Sequence, residues 1–399
     1  MIEYVRKWNF IHIIEKKKIN KKTRRGLMGW IDMHCDTLSR IMKAEGSAQQ
    51  EEKTGAQGTL MRNLLCVDIE RLEKAGAEAQ FFASFVDAAS CTDRKEEEAE
   101  KGGRILLGER IWDQAYKDVL RMLDHARQEE CGRFRIARSA EDLEAAKGTD
   151  DAGKDHPVIG ILTVEEGGVL NGKAERLGEL YDRGVRLLTL TWNYENGLGS
   201  PNSRDREVMA RGLTAFGKEV VERMNEFGML IDVSHLSDGG FWDCMRCSRM
   251  PVVASHSNCR TLCDHPRNLT DEMLRALGEK GGVAGLNFYS AFLCRRGRAR
   301  PEDIARHARH IIDKGGEDAA ALGTDFDGFE PEALPEGIRG VQDMEKIWEA
   351  MRGAGITPRQ IDKIASENLR RVLEIPFPTP EQGENFRRRI SRLEKRTKN

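Results

Sequence analysis

Eight short apolar runs recur along the 399-residue chain, and amphipathic stretches separate them. The runs are rich in Val, Ile and Leu and bounded by Gly or Pro, which is typical of strands buried on both faces. They span 30–33, 81–86, 158–164, 185–191, 229–233, 251–255, 282–287 and 320–323. Strands that alternate with helices in this number predict an α/β fold, a (β/α)8 TIM-like barrel. An open, doubly wound sheet is an alternative that the strand pattern leaves open.

The stretches between the runs carry apolar residues at the spacing of three and four that marks an amphipathic helix. The clearest helix is predicted to pass through Met209, Leu213, Phe216, Val220, Met224 and Phe227, and to end at Gly228. Further helices are predicted over 68–80, 175–183, 271–280, 301–314, 344–353 and 358–372. The stretch 88–150 is longer than a simple crossover, and we predict a helical insertion after the second strand.

Charge and cysteine usage narrow the class of protein. Lys and Arg number 64 against 66 Asp and Glu, and this balance argues against a nucleic-acid-binding protein. No run reaches the roughly 20 apolar residues of a membrane helix. The nine cysteines are thinly spread, which favours a cytoplasmic protein over a secreted disulfide framework. The lone CxxC motif, Cys244 to Cys247, is interpreted as two helix thiols.

The two ends of the chain are basic. Residues 1–27 hold nine Lys or Arg and two acidic residues, and they lack the long apolar segment of a signal peptide. We predict a poorly ordered extension over 1–27, the barrel over 28–378 and a basic tail over 379–399. An amphipathic segment that touches anionic surfaces is the alternative for the extension.

Residues able to bind metal follow five of the apolar runs. They are His34 and Asp36 after the first run, Glu165 and Glu166 after the third, His235 after the fifth, His256 after the sixth and Asp325 after the eighth. The carboxyl ends of barrel strands converge at one mouth, so these side chains are expected to meet there. Such a set matches two adjacent divalent ions bridged by a carboxylate, which turn a water into hydroxide near neutral pH. The other six histidines are interpreted as structural or surface residues.

Ordered motifs at these strand ends resemble those of the membrane (renal-type) dipeptidase family of zinc metallopeptidases, including its soluble bacterial members. The resemblance covers roughly residues 30–375. It rests on segments 32–38, 164–168, 184–191, 232–235, 255–257, 266–269, 287–289, 323–328 and 367–370. The family's fold is a (β/α)8 barrel, in agreement with the strand count.

The resemblance implies two zinc ions per chain and five residues that act as their ligands. His34 and Asp36 would bind one zinc ion. Glu166, the carboxylate directly before the two glycines, would bridge both ions. His235 and His256 would complete the second zinc site.

The resemblance also implies residues that act on the substrate. Asp325 would carry the proton to the leaving amine, and Arg267 would bind the substrate's free carboxylate with its planar fork. Tyr289 would add a hydroxyl near that carboxylate. Trp192 stands where some family members have a His that contacts the reacting carbonyl. The indole of Trp192 or the amide of Asn193 would supply a donor in its place, or the metals would act alone.

These assignments imply a di-zinc dipeptidase that cleaves free dipeptides with a bridging hydroxide. A related binuclear barrel hydrolase acting on a lactone, a cyclic amide or a phosphoester is the alternative. Many such hydrolases bridge their metals with a carboxylated Lys, and no Lys follows the third or fourth run. A non-catalytic barrel would require a broken ligand set, and all five positions are intact. The sequence leaves open the physiological dipeptide and the oligomeric state, a homodimer included.

Overall fold

The computed structural model describes residues 29–45, 58–91, 98–100, 105–144 and 156–377. Within these ranges, eight parallel strands close into a barrel that helices surround, which confirms the predicted (β/α)8 fold and excludes the open sheet. The predicted extension over 1–27 and the tail over 379–399 lie outside the described residues.

The second strand of the chain closes the barrel by pairing with the strand that follows the insertion. In chain order the described strands are β1 (Trp30–Asp32), β2 (Ala77–Phe85), β3 (Glu98–Glu100), β4 (Ile105–Leu107), β5 (Phe134–Ile136), β6 (Val158–Glu165), β7 (Val185–Thr189), β8 (Leu230–Asp232), β9 (Val252–Ala254), β10 (Val283–Leu286) and β11 (Ala320–Leu322). The sheet runs β2-β1-β11-β10-β9-β8-β7-β6, and β6 pairs with β2 to complete the ring. Each of the eight predicted runs overlaps one barrel strand, although β2 begins before its run, at Ala77, and β6 ends after its run, at Glu165.

Helices occupy most of the connections between the strands. In chain order they are α1 (Thr37–Glu45), α2 (Ile69–Ala75), α3 (Glu109–Gln128), α4 (Ala140–Glu144), α5 (Glu175–Asp182), α6 (Arg206–Met209), α7 (Ala215–Phe227), α8 (Asp238–Cys247), α9 (Asp271–Glu279), α10 (Ser290–Leu293), α11 (Pro301–Gly315), α12 (Met344–Gly353), α13 (Pro358–Asp362) and α14 (Asn368–Leu373). A π-helical turn, Lys363–Glu367, joins the last two. Among the residues that the structure describes, no helix has both the length and the apolar composition needed to cross a bilayer.

The insertion after the second strand is not wholly helical. Helix α3 supplies its predicted helical part, but β3 and β4 form an antiparallel hairpin before it. Strand β5 follows it and pairs with the first half of β6. The insertion therefore adds one short strand to the barrel sheet, beside the amino-terminal half of β6.

Two helix boundaries differ from the prediction because capping residues interrupt the apolar pattern. The helix predicted over 68–80 ends at Ala75, where Gly76 takes a left-handed conformation with φ of 79°, and β2 then begins at Ala77. The helix predicted through Met209 begins at Ala215, because the Thr214 hydroxyl accepts the Gly217 N–H as an N-cap. Met209 ends the separate short helix α6.

The barrel interior is a small apolar layer built from alternate residues of each strand. It includes Ile159 and Ile161 of β6, together with Phe81, Leu230, Val253 and Ala321 from neighbouring strands. Since side chains alternate along a strand, residues with the parity of Ile159 and Ile161 point into the barrel. At the end of β6, that parity falls on Glu165.

Candidate metal centre

Three carboxylates surround the His34 ring just beyond the end of β1. Its Nε2 atom lies 3.2 Å from Glu165 Oε2, 3.3 Å from Asp36 Oδ2 and 3.9 Å from Asp325 Oδ1. The His34 and Asp36 side chains are almost fully buried. Asp325 follows β11, and its backbone N–H donates to the His34 carbonyl, which ties the two loops together.

Two further histidines complete the cluster on the opposite side of Glu165. His235 Nε2 lies 3.1 Å and His256 Nε2 lies 3.5 Å from Glu165 Oε1. The two Nε2 atoms are 3.0 Å apart, and the His34 and His256 rings stack at 4.0 Å between centroids. One carboxylate, Glu165, therefore contacts all three histidines.

The outer ring nitrogens of His235 and His256 both face hydrogen-bond acceptors. His235 Nδ1 donates to the Asn193 side-chain oxygen at 3.2 Å. His256 Nδ1 donates at 2.7 Å to the Ser255 hydroxyl, which in turn donates to Asp232 at 2.5 Å. These bonds put the proton on Nδ1 of each ring and direct both Nε2 lone pairs into the cluster.

Glu165, and not the Glu166 that the sequence analysis assigned as the bridge, lies between the histidines in the structure. Glu165 is still within β6, opposite Thr189 of β7, and its strand parity points it into the barrel. Glu166 has left the strand with φ of 109°, which turns its side chain away. Strand parity was the signal in the sequence that distinguishes the two residues, whereas the adjacent glycines were misleading.

Glu166 instead connects the loops after β6 and β7. Its carboxylate accepts the N–H groups of Gly168 at 2.8 Å and Trp192 at 3.2 Å, and the Asn196 side-chain amide at 2.6 Å. Burial raises the pKa of Glu166 to about 7, although these hydrogen bonds oppose the effect. Glu166 therefore holds the segment that carries Trp192 and Asn193.

The protein alone balances the charges of the cluster only in part: burial opposes a charge on His34, but the Glu165 and Asp36 carboxylates raise its pKa well above the usual range. Burial, and then the Asp36 and Glu165 charges, raise the pKa of Asp325 to about 8. Burial lowers the pKa of His235 to about 4, and burial with the nearby His34 and Arg267 charges holds the pKa of His256 well below its usual range. Carboxylates are thus crowded together beside two imidazoles that stay neutral.

The donor set fits divalent metal ions. Neutral imidazole nitrogens and carboxylate oxygens are the ligands that such ions take, and the two converging Nε2 lone pairs repel each other without a cation. Asp36 Oδ1 is also buried with no hydrogen-bond partner among the described residues, and a bound ion would satisfy it. Two groups, His34–Glu165–His256 and His34–Asp36–Asp325, each have ligand atoms within 4.8 Å of one another.

Arg267 lies near the cluster with its guanidinium unpaired. The residue is 6% exposed, and its contacts with the Ser257 hydroxyl at 3.4 Å and the His256 carbonyl at 3.3 Å are long. Its Nε atom has no partner, and no carboxylate lies within ion-pair distance of the guanidinium, among the residues described. A buried guanidinium that lacks a carboxylate partner is available to bind an anion.

The remaining predicted site residues border this region. Tyr289 is half-buried and packs against Phe292, whose ring also lies 5.4 Å from the Arg267 guanidinium carbon. Trp192 packs on Phe85, with its ring centroid 6.2 Å from that of His235. Among the residues that the structure describes, Asn193 touches the centre only by its hydrogen bond with His235.

Two supporting residues were not found from the sequence. Asp232, at the end of β8, accepts hydrogen bonds from Thr189, Ser234 and Ser255 and so orients His256. Asn287 donates from its amide to Asp325 Oδ2 at 2.8 Å. Both belong to motifs on which the family resemblance rests, but their partners lie on other strands.

The family of the chain follows from comparisons with known proteins. A model of the membrane dipeptidase family, peptidase family M19, matches residues 26–377. An uncharacterized protein in the pqqA 5′ region of Klebsiella pneumoniae is 36% identical over 253 residues, which cover 61% of this chain and 89% of that protein.

Two solved structures share the architecture across nearly their whole length. Dipeptidase AC, a metallopeptidase of family M19, is 28% identical with a TM-score of 0.70 over 88% of this chain and 99% of its own. A Rhodobacter sphaeroides metallopeptidase liganded with a phosphinate mimic of the dipeptide L-Ala-D-Ala is 28% identical with a TM-score of 0.69, over 88% and 100%. The chain therefore belongs to the membrane dipeptidase family, peptidase family M19, and is a metallopeptidase.

Proposed function

We propose that the protein is a two-metal dipeptidase that hydrolyses the peptide bond of free dipeptides, with zinc as its metal. His34 and Asp36 would hold one ion, His235 and His256 the other, and Glu165 would contact both. The observation that carries the proposal is the convergence of two unprotonated Nε2 atoms, 3.0 Å apart, on one buried carboxylate. When bound, the ions would polarise the peptide carbonyl and lower the pKa of a coordinated water.

The unpaired Arg267 guanidinium supports a substrate with a free carboxylate. Because Arg267 contacts the backbone of the metal ligand His256, a carboxylate bound there lies within a residue's length of the centre. A dipeptide would place its peptide bond at the centre while its carboxylate binds Arg267. A longer peptide would carry its carboxylate one residue too far away.

Asp325 is proposed to move the proton. Its Oδ2 atom is occupied by the Asn287 amide, and its Oδ1 atom faces His34. Oδ1 is thus the atom free to take up a proton and deliver it to the leaving amine nitrogen. The Asn287 hydrogen bond holds the carboxylate in this orientation.

The test is metal analysis combined with a dipeptide panel. We expect about two divalent ions per chain, and hydrolysis of free dipeptides, L-Ala-D-Ala among them. Chelation should abolish activity, and added zinc should restore it. Equal activity in protein that remains metal-free throughout the assay would contradict the proposal. Efficient cleavage of tripeptides would contradict the substrate class.

A further inference from the structure

A cavity of about 840 Å³ lies beside the proposed carboxylate site. Most of its wall comes from the loops after β9 and β10, which supply His265 and Tyr289, while Arg204 comes from the loop after β7 and Glu332 from the loop after β11. His265 accepts the Arg267 N–H at 3.2 Å, and Tyr289 packs on Phe292 beneath the Arg267 guanidinium. The cavity is therefore adjacent to the end of the substrate that Arg267 would bind, and not to the Trp192 side of the centre.

The cavity wall is strongly basic. Its charged residues are Arg204, Arg295, Arg296 and Arg298, against Asp264 and Glu332. All four arginines are exposed. In the part of the chain that the structure describes, no carboxylate lies within ion-pair distance of Arg204, Arg295 or Arg296. Four guanidinium groups against two carboxylates leave an excess of positive charge around this space.

The pKa of His265 is consistent with an excess of positive charge in this wall. Burial, and then the Arg267, Arg204 and Arg260 charges, lower the pKa of His265 to about 4. His265 is therefore neutral at physiological pH and does not itself add charge to the wall. The excess charge is carried by the four arginines.

We propose that this cavity binds an anionic side chain on the carboxyl-terminal residue of the dipeptide, so that the enzyme prefers dipeptides that end in aspartate or glutamate. The inference rests on the proposed function, because Arg267 must hold the α-carboxylate of the same residue. A side chain that leaves the α-carbon next to that carboxylate points away from the metals and has this cavity as its neighbour. A guanidinium group binds a carboxylate through two parallel hydrogen bonds. Arg204, Arg295 and Arg296 line the cavity and have no ion-pair partner among the described residues.

The test compares acidic dipeptides with their neutral isosteres. Ala-Asp and Ala-Asn, and Ala-Glu and Ala-Gln, are assayed with the carboxyl-terminal residue in both stereochemical forms. We expect kcat/KM for the acid to exceed that for the amide by about tenfold, the effect of one charge-assisted hydrogen bond. Because the arginines are exposed, the preference should shrink as ionic strength rises from 0.05 to about 0.5 M.

A double variant, Arg204→Gln with Arg295→Gln, should reduce the preference to about twofold or less and leave kcat/KM for Ala-Asn nearly unchanged. The matched control is Arg249→Gln with Arg275→Gln, two exposed arginines outside the cavity wall that change the net charge equally. The control should keep the wild-type preference. An equal loss in the control would assign the effect to net charge and overturn the subsite.

The outcomes separate this inference from the proposed function. If the wild type hydrolyses all four dipeptides with no preference for the acids, the subsite is wrong and the dipeptidase stands. If it hydrolyses none of them, nor the wider dipeptide panel, the proposed function itself fails. A preference that persists in the cavity variant would also overturn the inference.

Discussion

Replacing Arg267 by alanine should remove the enzyme's recognition of the substrate carboxylate. The guanidinium is almost fully buried, and its two described hydrogen bonds, at 3.3 and 3.4 Å, are longer than the usual 2.9–3.0 Å. Burial lowers the pKa of Arg267, which shows that the protein does not fully compensate the loss of water. The substrate carboxylate is then the missing partner of a buried charge pair.

The structure sets the size of the effect. Truncating one partner of a buried, hydrogen-bonded charge pair costs about 2–5 kcal/mol, because the other charge is left unpaired. At about 1.4 kcal/mol per factor of ten, kcat/KM should fall by about 30-fold to about 4000-fold. C-terminal amidation of the dipeptide removes the same interaction from the other side and should cost the wild type a similar factor.

The assay is kcat/KM for wild type and Arg267→Ala, each with free and amidated dipeptide. The two changes together should cost little more than either alone, since both remove one interaction. Arg186→Ala is a matched control at the amino-terminal end of β7, because Arg186 is buried to a similar extent and its guanidinium donates to the Tyr181 and Val185 carbonyls, both at 2.9 Å. That variant should lower Tm but keep the sensitivity to amidation. Independent, additive losses for Arg267, or amidated dipeptides cleaved well by the wild type, would refute the reasoning.

Three further predictions concern the centre and the fold. Glu165→Gln should lose bound metal and activity, whereas Glu166→Gln should retain metal and mainly lower Tm; metal analysis showing the reverse would restore Glu166 as the bridge. Gly328→Ala should reduce kcat by about 100-fold with little change in Tm, because the added Cβ would overlap Asp325 Oδ1 and crowd Asp36 Oδ2, and so displace both carboxylates; unchanged kcat would argue against the role of Asp325. Burial would raise the pKa of Asp271, but hydrogen bonds from His310, Thr261 and Lys314 outweigh it and lower this pKa from 3.8 to about 2. The ionised Asp271 therefore contributes fully to the free energy of unfolding above about pH 4, and this contribution is lost as the pH falls towards 2. The stability difference between wild type and Asp271→Asn, measured in urea from pH 5 to 3, should therefore shrink; a constant difference would exclude this linkage.

Local pattern was enough to predict much of the fold. Every barrel strand overlaps a predicted run, and the Thr357 cap with Pro358 correctly marked the start of α13. These features depend on alternation, capping and helix periodicity, which neighbouring residues determine. The errors at Gly76 and Thr214 arose where a capping residue overrode an otherwise continuous apolar pattern.

The sequence by itself determined which strand ends carry metal-binding side chains, because residues that directly follow buried parallel strands must converge at the barrel mouth. Only the tertiary structure decided which of two adjacent glutamates faces the histidines. Glu166 is turned away by bonds to Trp192 and Asn196, residues 26 and 30 positions further along the chain. The unpaired state of Arg267 and the gathering of Arg204 with Arg295 around one cavity likewise depend on the packing of distant loops. No local pattern encodes such contacts, since each exists only after the barrel has closed.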